Sequence, residues 1–195
     1  YLIMKKIISF IIAAVFAVGS AFAANDLDFE GVAGMNIANV DETECHSRIG
    51  FHVGVRGTYA FQSQDNGIYA NAAAMLSLLG TKHDGLFSEG TYNAYCLVLP
   101  VHIGYKRSIA NDVAILGEFG PYFCVGLFGS NPDGEDLFGD SEDFNRFDVG
   151  LGLRLGFEFS KKYNVSLGYD FGLVDVWDVC SAKTRNATIS LGYKF

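Results

Sequence analysis

Residues 146–159 read RFDVGLGLRLGFEF. The odd positions, Phe147, Val149, Leu151, Leu153, Leu155, Phe157 and Phe159, are all apolar, and the even ones, Arg146, Asp148, Gly150, Gly152, Arg154, Gly156 and Glu158, are all polar or glycine. A period of two without a single fault is the signature of a strand whose two faces meet different surroundings. The same alternation runs through the C-terminus, where Ala187, Ile189, Leu191, Tyr193 and Phe195 oppose Asn186, Thr188, Ser190, Gly192 and Lys194. It recurs between 49 and 61, where Phe51, Val53, Val55, Tyr59 and Phe61 oppose Gly50, His52, Gly54, Arg56 and Thr58.

Working outward from these runs, eight segments emerge, at 29–40, 49–61, 67–79, 94–108, 113–128, 146–160, 163–175 and 186–195. Each has about the 9–11 residues, or slightly more, that a tilted membrane-crossing strand requires. The connections at 62–66, 109–112 and 161–162 are short, and those after Val40, Leu79, Phe128 and Asp175 are longer. Short turns on one side and long loops on the other describe an outer-membrane barrel with its turns in the periplasm. An even strand number puts both ends of the barrel on that side.

Composition agrees. The chain of 195 residues has 23 Gly, 17 Phe and 10 Tyr but only 3 Pro, and 14 basic against 22 acidic side chains give a net charge of -8. Half the residues are apolar, which excludes disorder, and the negative charge makes nucleic acid a poor partner. Near the N-terminus Met4-Lys5-Lys6 precedes an apolar run at 7–18 and then Ala21-Phe22-Ala23. That order is the order of a secretory signal peptide cleaved after Ala23, with Tyr1-Leu2-Ile3 upstream of the natural start. A single transmembrane anchor is the competing reading, but the A-x-A site directly follows the apolar run and no basic stop-transfer residues come after it. The expected division is residues 1–23 as a leader and 24–195 as the barrel. No later segment is a membrane helix, so a membrane-resident chain must be a barrel.

Alternation does not say which face is outside, because a soluble lipocalin-like barrel has the same period with apolar residues in its lumen. Three features favour the membrane form. Glycines stud the polar face (Gly50, Gly54, Gly104, Gly120, Gly150 and Gly152 among them), where they would weaken a water-facing strand but relieve crowding inside a narrow barrel. Aromatics gather near strand ends, with Tyr59, Phe61, Tyr69, Tyr105, Phe157, Phe159, Tyr163, Tyr193 and Phe195 at the periplasmic rim and Tyr92, Tyr95, Phe128, Phe147 and Trp177 at the other. The chain also ends on an aromatic. The fold expected is therefore an all-β, eight-stranded antiparallel transmembrane barrel in the outer membrane.

Five short motifs follow one another in the chain: GVAGMNI at 31–37, LPVHIGYK at 99–106, GPYF at 120–123, FDVGLG at 147–152 and SLGYKF at 190–195. In that order they resemble the PorT-type outer membrane protein β-barrel family of the Bacteroidetes, often called porin family proteins. The resemblance spans nearly all of 24–195. It implies a terminal Phe195 read by the barrel-assembly machinery, and a family most of whose members have no assigned activity.

The inward face carries Glu30, Asn36, His52, Arg56, His102, Lys106, Glu118, Asp148, Arg154, Glu158, Asp170 and Lys194. If strands six and seven pair about Lys161, Arg154 lies opposite Gly168 and diagonal to Asp170. Since side chains fill the interior of an eight-stranded barrel, Arg56, Glu118, Asp148, Arg154, Glu158 and Asp170 are expected to form a salt-bridged plug. A selective pore or proton path is the alternative. For catalysis, His52 or His102 as base, Ser190 or Ser166 as nucleophile and Glu118 or Asp170 as orienter are the available groups. They lie on separate strands without a motif, so no enzyme is expected, and no cofactor.

Residues 130–145 carry Asp133, Glu135, Asp136, Asp140, Glu142 and Asp143. Their spacing lacks the order and central Gly of an EF-hand loop, so a solvated loop is expected before a Ca²⁺ site. Four cysteines enter an oxidising compartment. Cys45 and Cys180 fall in the first and last long loops, beside each other when the barrel closes, and are expected as a disulfide. Cys96 and Cys124 both point inward nearly opposite each other and form a second, more strained candidate pair. No C-x-x-C spacing supports zinc. The expected product is a monomer in outer-membrane lipid with a structural or surface-interaction role, whose external ligand the sequence does not name. A narrow channel is the second function class and a lipid-modifying enzyme the third.

Overall fold

The computed structural model describes residues 27–40, 45–61, 66–85, 88–131, 134, 136–138, 145–175 and 183–195. These form eight strands, β1 (Leu27–Val40), β2 (Cys45–Ala60), β3 (Asn66–Gly85), β4 (Ser88–Ala110), β5 (Val113–Ser130), β6 (Phe147–Phe159), β7 (Tyr163–Asp175) and β8 (Lys183–Lys194). Each pairs antiparallel with its neighbours in chain order, and β1 pairs with β8, so the sheet closes on itself and has no free edge. The leader at 1–23, Trp177 and Cys180 lie outside the described residues.

The period-two rule explains the wall. On β6 the even positions are buried and the odd ones face outward, and Arg154 sits opposite Gly168 with Gly152 opposite Asp170, the register expected from the turn at Lys161. Leu155, Leu167 and Leu191, three neighbours on the outer face, are 68, 61 and 62 % exposed. A water-soluble protein rarely leaves so continuous an apolar band uncovered, whereas acyl chains solvate it. At the periplasmic rim Tyr163, Tyr193 and Phe195 touch ring to ring on the same face (centroids 5.5 and 6.0 Å). At the other rim Tyr95 stacks on Phe128.

Two expectations need correction. The connection after Leu79 is not a long loop, because β3 and β4 continue to pair until Gly85 opposes Ser88. Alternation fades beyond Leu79 because both strands have risen past the apolar band, not because pairing ends. Tyr69 does not belong to the rim. It shares its face with Asn71 and Ser77 and is 5 % exposed, and its hydroxyl finds the buried partner a phenol requires, donating to Glu118 Oε1 at 2.9 Å. Gly104 makes this possible, since any Cβ there would collide with the Tyr69 ring.

Candidate functional site: the filled lumen

The lumen has three levels. Nearest the periplasm, Glu30 and Arg56 are register partners across β1 and β2 and bridge at 2.7 Å. Beside them Glu158 accepts from Lys106 and, at 2.6 Å, from Lys194 Nζ, which also reaches Asp28 at 3.4 Å. Each carboxylate is held by a cation from another strand, so the pairs tie β1, β2, β4, β6 and β8 across the bore. Between them remains a void of about 30 Å³, no more than a few waters.

At mid-height Glu118 is the hub. Its register partner Arg154 donates at 3.3 Å, Tyr69 donates from β3, and His102 Nδ1 lies 3.5 Å away. Glu118, Arg154 and His102 are 6, 5 and 2 % exposed, so the bore is closed at this height.

The same level holds an arrangement that the sequence did not reveal. Gly34 on β1 pairs with His52 on one side and Ser190 on the other. Having no side chain, Gly34 lets the His52 ring cross above it and meet Ser190 Oγ at 2.9 Å, whereas a Cβ would come within 2.7 Å of the imidazole. Asn36 Nδ2 donates to Leu78 O at 2.8 Å, which turns its Oδ1 toward His52 Nδ1 at 3.3 Å. Nδ1 therefore carries the proton and Nε2 accepts from the Ser190 hydroxyl. The polarity is that of a serine–histidine–orienter chain. Asn36 takes the place expected for Glu118 or Asp170, and Ser166 and His102 stay outside the chain. All three groups are buried and face the lumen, the side of the wall away from lipid, so an acyl substrate dissolved in the membrane has no approach. Only the closing register of β1 with β8 creates this contact, and no local motif encodes it.

The outward level is different in kind. Asp148 Oδ2 accepts hydroxyls from Thr184 (2.6 Å) and Tyr122 (3.0 Å), and Asp170 accepts from Asn186 Nδ2 at 3.1 Å. Above them the walls turn apolar, and residues 136–138 fold into the mouth. Leu137 is 1 % exposed, its N–H donates to Gly129 O, and Phe138 lies over Gly126, where a Cβ would strike the ring. Arg146 donates to Phe138 O at 2.6 Å and covers its ring at 5.1 Å. Of the acidic residues at 130–145 only Asp136 is described; its Oδ1 accepts from the Phe138 N–H, as the start of a turn does.

The six residues expected as a plug thus divide. Arg56, Glu118, Arg154 and Glu158 are joined in ion pairs, while Asp148 and Asp170 hold only neutral partners among the described contacts. Cys96 and Cys124 are free, buried thiols, not a disulfide. An irregularity between Tyr95 and Cys96 shifts the register, so Cys96 opposes Gly126 and Cys124 opposes Val98, diagonal instead of facing. Cys180, and with it the Cys45–Cys180 pair, lies outside the described residues.

Comparison with known proteins places this architecture. The family model described as "Outer membrane protein beta-barrel domain" matches residues 8–195. No curated protein matches. Among solved structures, the outer membrane enzyme PagL (TM-score 0.55, 10 % identity, 84 % of this chain and 98 % of that one) and Neisserial surface protein A (0.53, 13 %, 86 % and 97 %) share the fold. Ail, the attachment invasion locus protein of Yersinia pestis, aligns at 19 % identity over 86 % of this chain and 98 % of its own, with TM-score 0.46.

Proposed function

Because the chain belongs to the outer membrane protein β-barrel domain family, we propose that it serves the outer membrane as a plugged, non-enzymatic barrel with a structural or surface-interaction role. The observation that carries this reading is the ionic filling at two levels, Arg56 with Glu30 and Lys106 and Lys194 with Glu158 below, and Glu118 with Arg154 above. A bore laced by buried pairs between adjacent strands and, at Glu158, between strands two apart is a rigid support. What varies on such a support is the set of external connections, and there the interaction surface belongs. Within the family we assign the chain to the PorT-type, porin-named branch of the Bacteroidetes on its five ordered motifs, with a leader removed after Ala23, so that "porin" marks lineage and not transport. Barrel-assembly machinery reading Phe195 and a monomeric state in lipid complete the proposal.

The test is a capture experiment with the intact refolded barrel and a second barrel in which 130–145 is replaced by a Gly-Ser linker. A cell-surface ligand retained by the first and lost by the second supports the role. Identical capture by both barrels contradicts it. N-terminal sequencing of protein from the outer membrane tests the leader, with Ala24 expected.

The Ser190–His52–Asn36 chain favours a second reading, a hydrolase. Labelling of folded barrel by a fluorophosphonate, absent in Ser190→Ala, would establish it; the plugged-barrel account expects no labelling.

A further inference from the structure

The outward third of the lumen holds two thiols that the plug does not use. Cys96 on β4 and Cys124 on β5 are buried in one cluster with Ala94, Val98, Tyr122, Leu137 and Phe138. Their placement follows from the wall. Tyr95 opposes Phe128 but Cys96 opposes Gly126, so Leu127 is an extra residue on β5 and the two cysteines stand on a diagonal, two residues out of register. The Phe138 ring fills the space above Gly126, the register partner of Cys96, and so walls the pair on that side.

This offset decides what the thiols can do. Diagonal partners on neighbouring strands lie roughly 7–8 Å apart, beyond the ~7 Å between Cα atoms at which a disulfide can still close without moving the backbone. A metal ion between the sulfurs lengthens the reach. Two metal–thiolate bonds of ~2.3 Å in line span about 4.6 Å from sulfur to sulfur, against ~2.05 Å in a disulfide.

The surroundings choose the ion. Among the described residues no third histidine, cysteine or carboxylate gathers with the pair into a metal-holding group. Asp148 opposes Cys124 across β5 and β6, but its Oδ2 is already held by Tyr122 and Thr184. Zinc requires four ligands and calcium or magnesium a shell of oxygens, so two sulfurs complete neither. Monovalent copper is soft, prefers thiolate and, with a filled d shell, is stable between two ligands in line. Asp148 and Asp170 line the same cavity with Arg146 and Arg185, so its charged wall is balanced and the sulfurs make the selection. The cavity is about 70 Å³, ample for a bare ion when ~15 Å³ holds one water, and it reaches Val40 and Arg146 at the outward ends of their strands.

We propose that Cys96 and Cys124 bind one Cu(I) ion as a two-coordinate bis-thiolate. Both thiols release their protons to solvent, two sulfur–copper bonds form, and no oxidation state changes. The aliphatic and aromatic neighbours keep water from the ion and so hinder its oxidation. The site lies inside the barrel mouth and does not depend on the surface-interaction role.

The test uses the full barrel, carrying Cys45→Ser and Cys180→Ser so that only this pair of thiols remains, reduced, refolded in detergent micelles and titrated under argon with Cu(I) held by the chromogenic chelator bicinchoninate. One Cu(I) per barrel is expected to leave the chelator, and X-ray absorption should show two sulfur ligands and no others. Cys96→Ser or Cys124→Ser on the same background should weaken binding by about tenfold or more, and a tenfold excess of Zn(II) should not displace the copper. The proposal is overturned if the folded parent takes no Cu(I), if either folded serine variant binds like the parent, if Zn(II) displaces the ion, or if absorption shows three or more ligands. Should a serine variant fail to fold, the stoichiometry and ligand count on the parent decide.

Discussion

The inner and outward halves of the lumen are built from the same strands on the same alternation, yet they balance charge in opposite ways. In the inner half each carboxylate meets a cation from another strand: Glu30 meets Arg56, Glu118 meets Arg154, and Glu158 meets both Lys106 and Lys194. In the outward half Asp148 and Asp170 are held by hydroxyls and an amide beneath an apolar chamber. Buried ion pairs lock a structure because removing one partner strands the other in low dielectric. A carboxylate held by neutral donors can lose its charge at small cost to the fold, because those donors serve an amide oxygen as well. The inner half is thus the strut of the barrel, and the outward half is held without ion pairs among the described residues.

Substitutions can break or sharpen this contrast. The largest effect is expected from Arg154→Ala, which leaves Glu118 buried beside Tyr69 and His102 and should cost about 3–5 kcal/mol in urea unfolding of the barrel from vesicles. Replacing the pair together, as Glu118→Leu with Arg154→Met, should recover most of that loss; a double variant as unstable as the single one would show that Glu118 is not the stranded group. Leu153→Arg tests the outer face. Leu153 is half exposed on the lipid side of β6, and a cation there should cost about 2–4 kcal/mol in a bilayer. An unchanged unfolding midpoint would mean that this face meets water. Gly34→Ala pushes a methyl against the His52 ring and the Ile189 carbonyl and should cost about 1–3 kcal/mol by overpacking. Asp148→Asn is the smallest, expected within about 1 kcal/mol of wild type, because an amide oxygen can still accept from Tyr122 and Thr184. A loss as large as that of Arg154→Ala would erase the distinction between the halves.

What the sequence made legible was local. Residues 146–159 declared their faces without a fault, and the turn at 161–162 set Arg154 opposite Gly168, because register across a short hairpin follows from counting. The outer-membrane assignment followed from the same periodicity with glycine on one face and aromatics at the rims. What stayed hidden depends on closure and irregularity. Tyr69 suits a rim by residue type, yet Ile68 outside and Asn71 inside fix its face toward the lumen. The offset of Cys96 from Cys124 comes from an irregularity beside Tyr95 that counting cannot detect. The meeting of Ser190 with His52 requires the first strand to close on the last across Gly34. Leu137 and Phe138, in a stretch expected to be a solvated acidic loop, fill the mouth because Gly126 and Gly129 leave room for them.

The central claim is that the inner half closes the bore. Planar-bilayer recording of the refolded barrel tests it most directly. The account predicts no discrete conductance steps from wild type, and small steps at most when Glu118 and Arg154 are both replaced by alanine. Stable, ohmic openings from wild type, lost on neutralising Arg154, would contradict it.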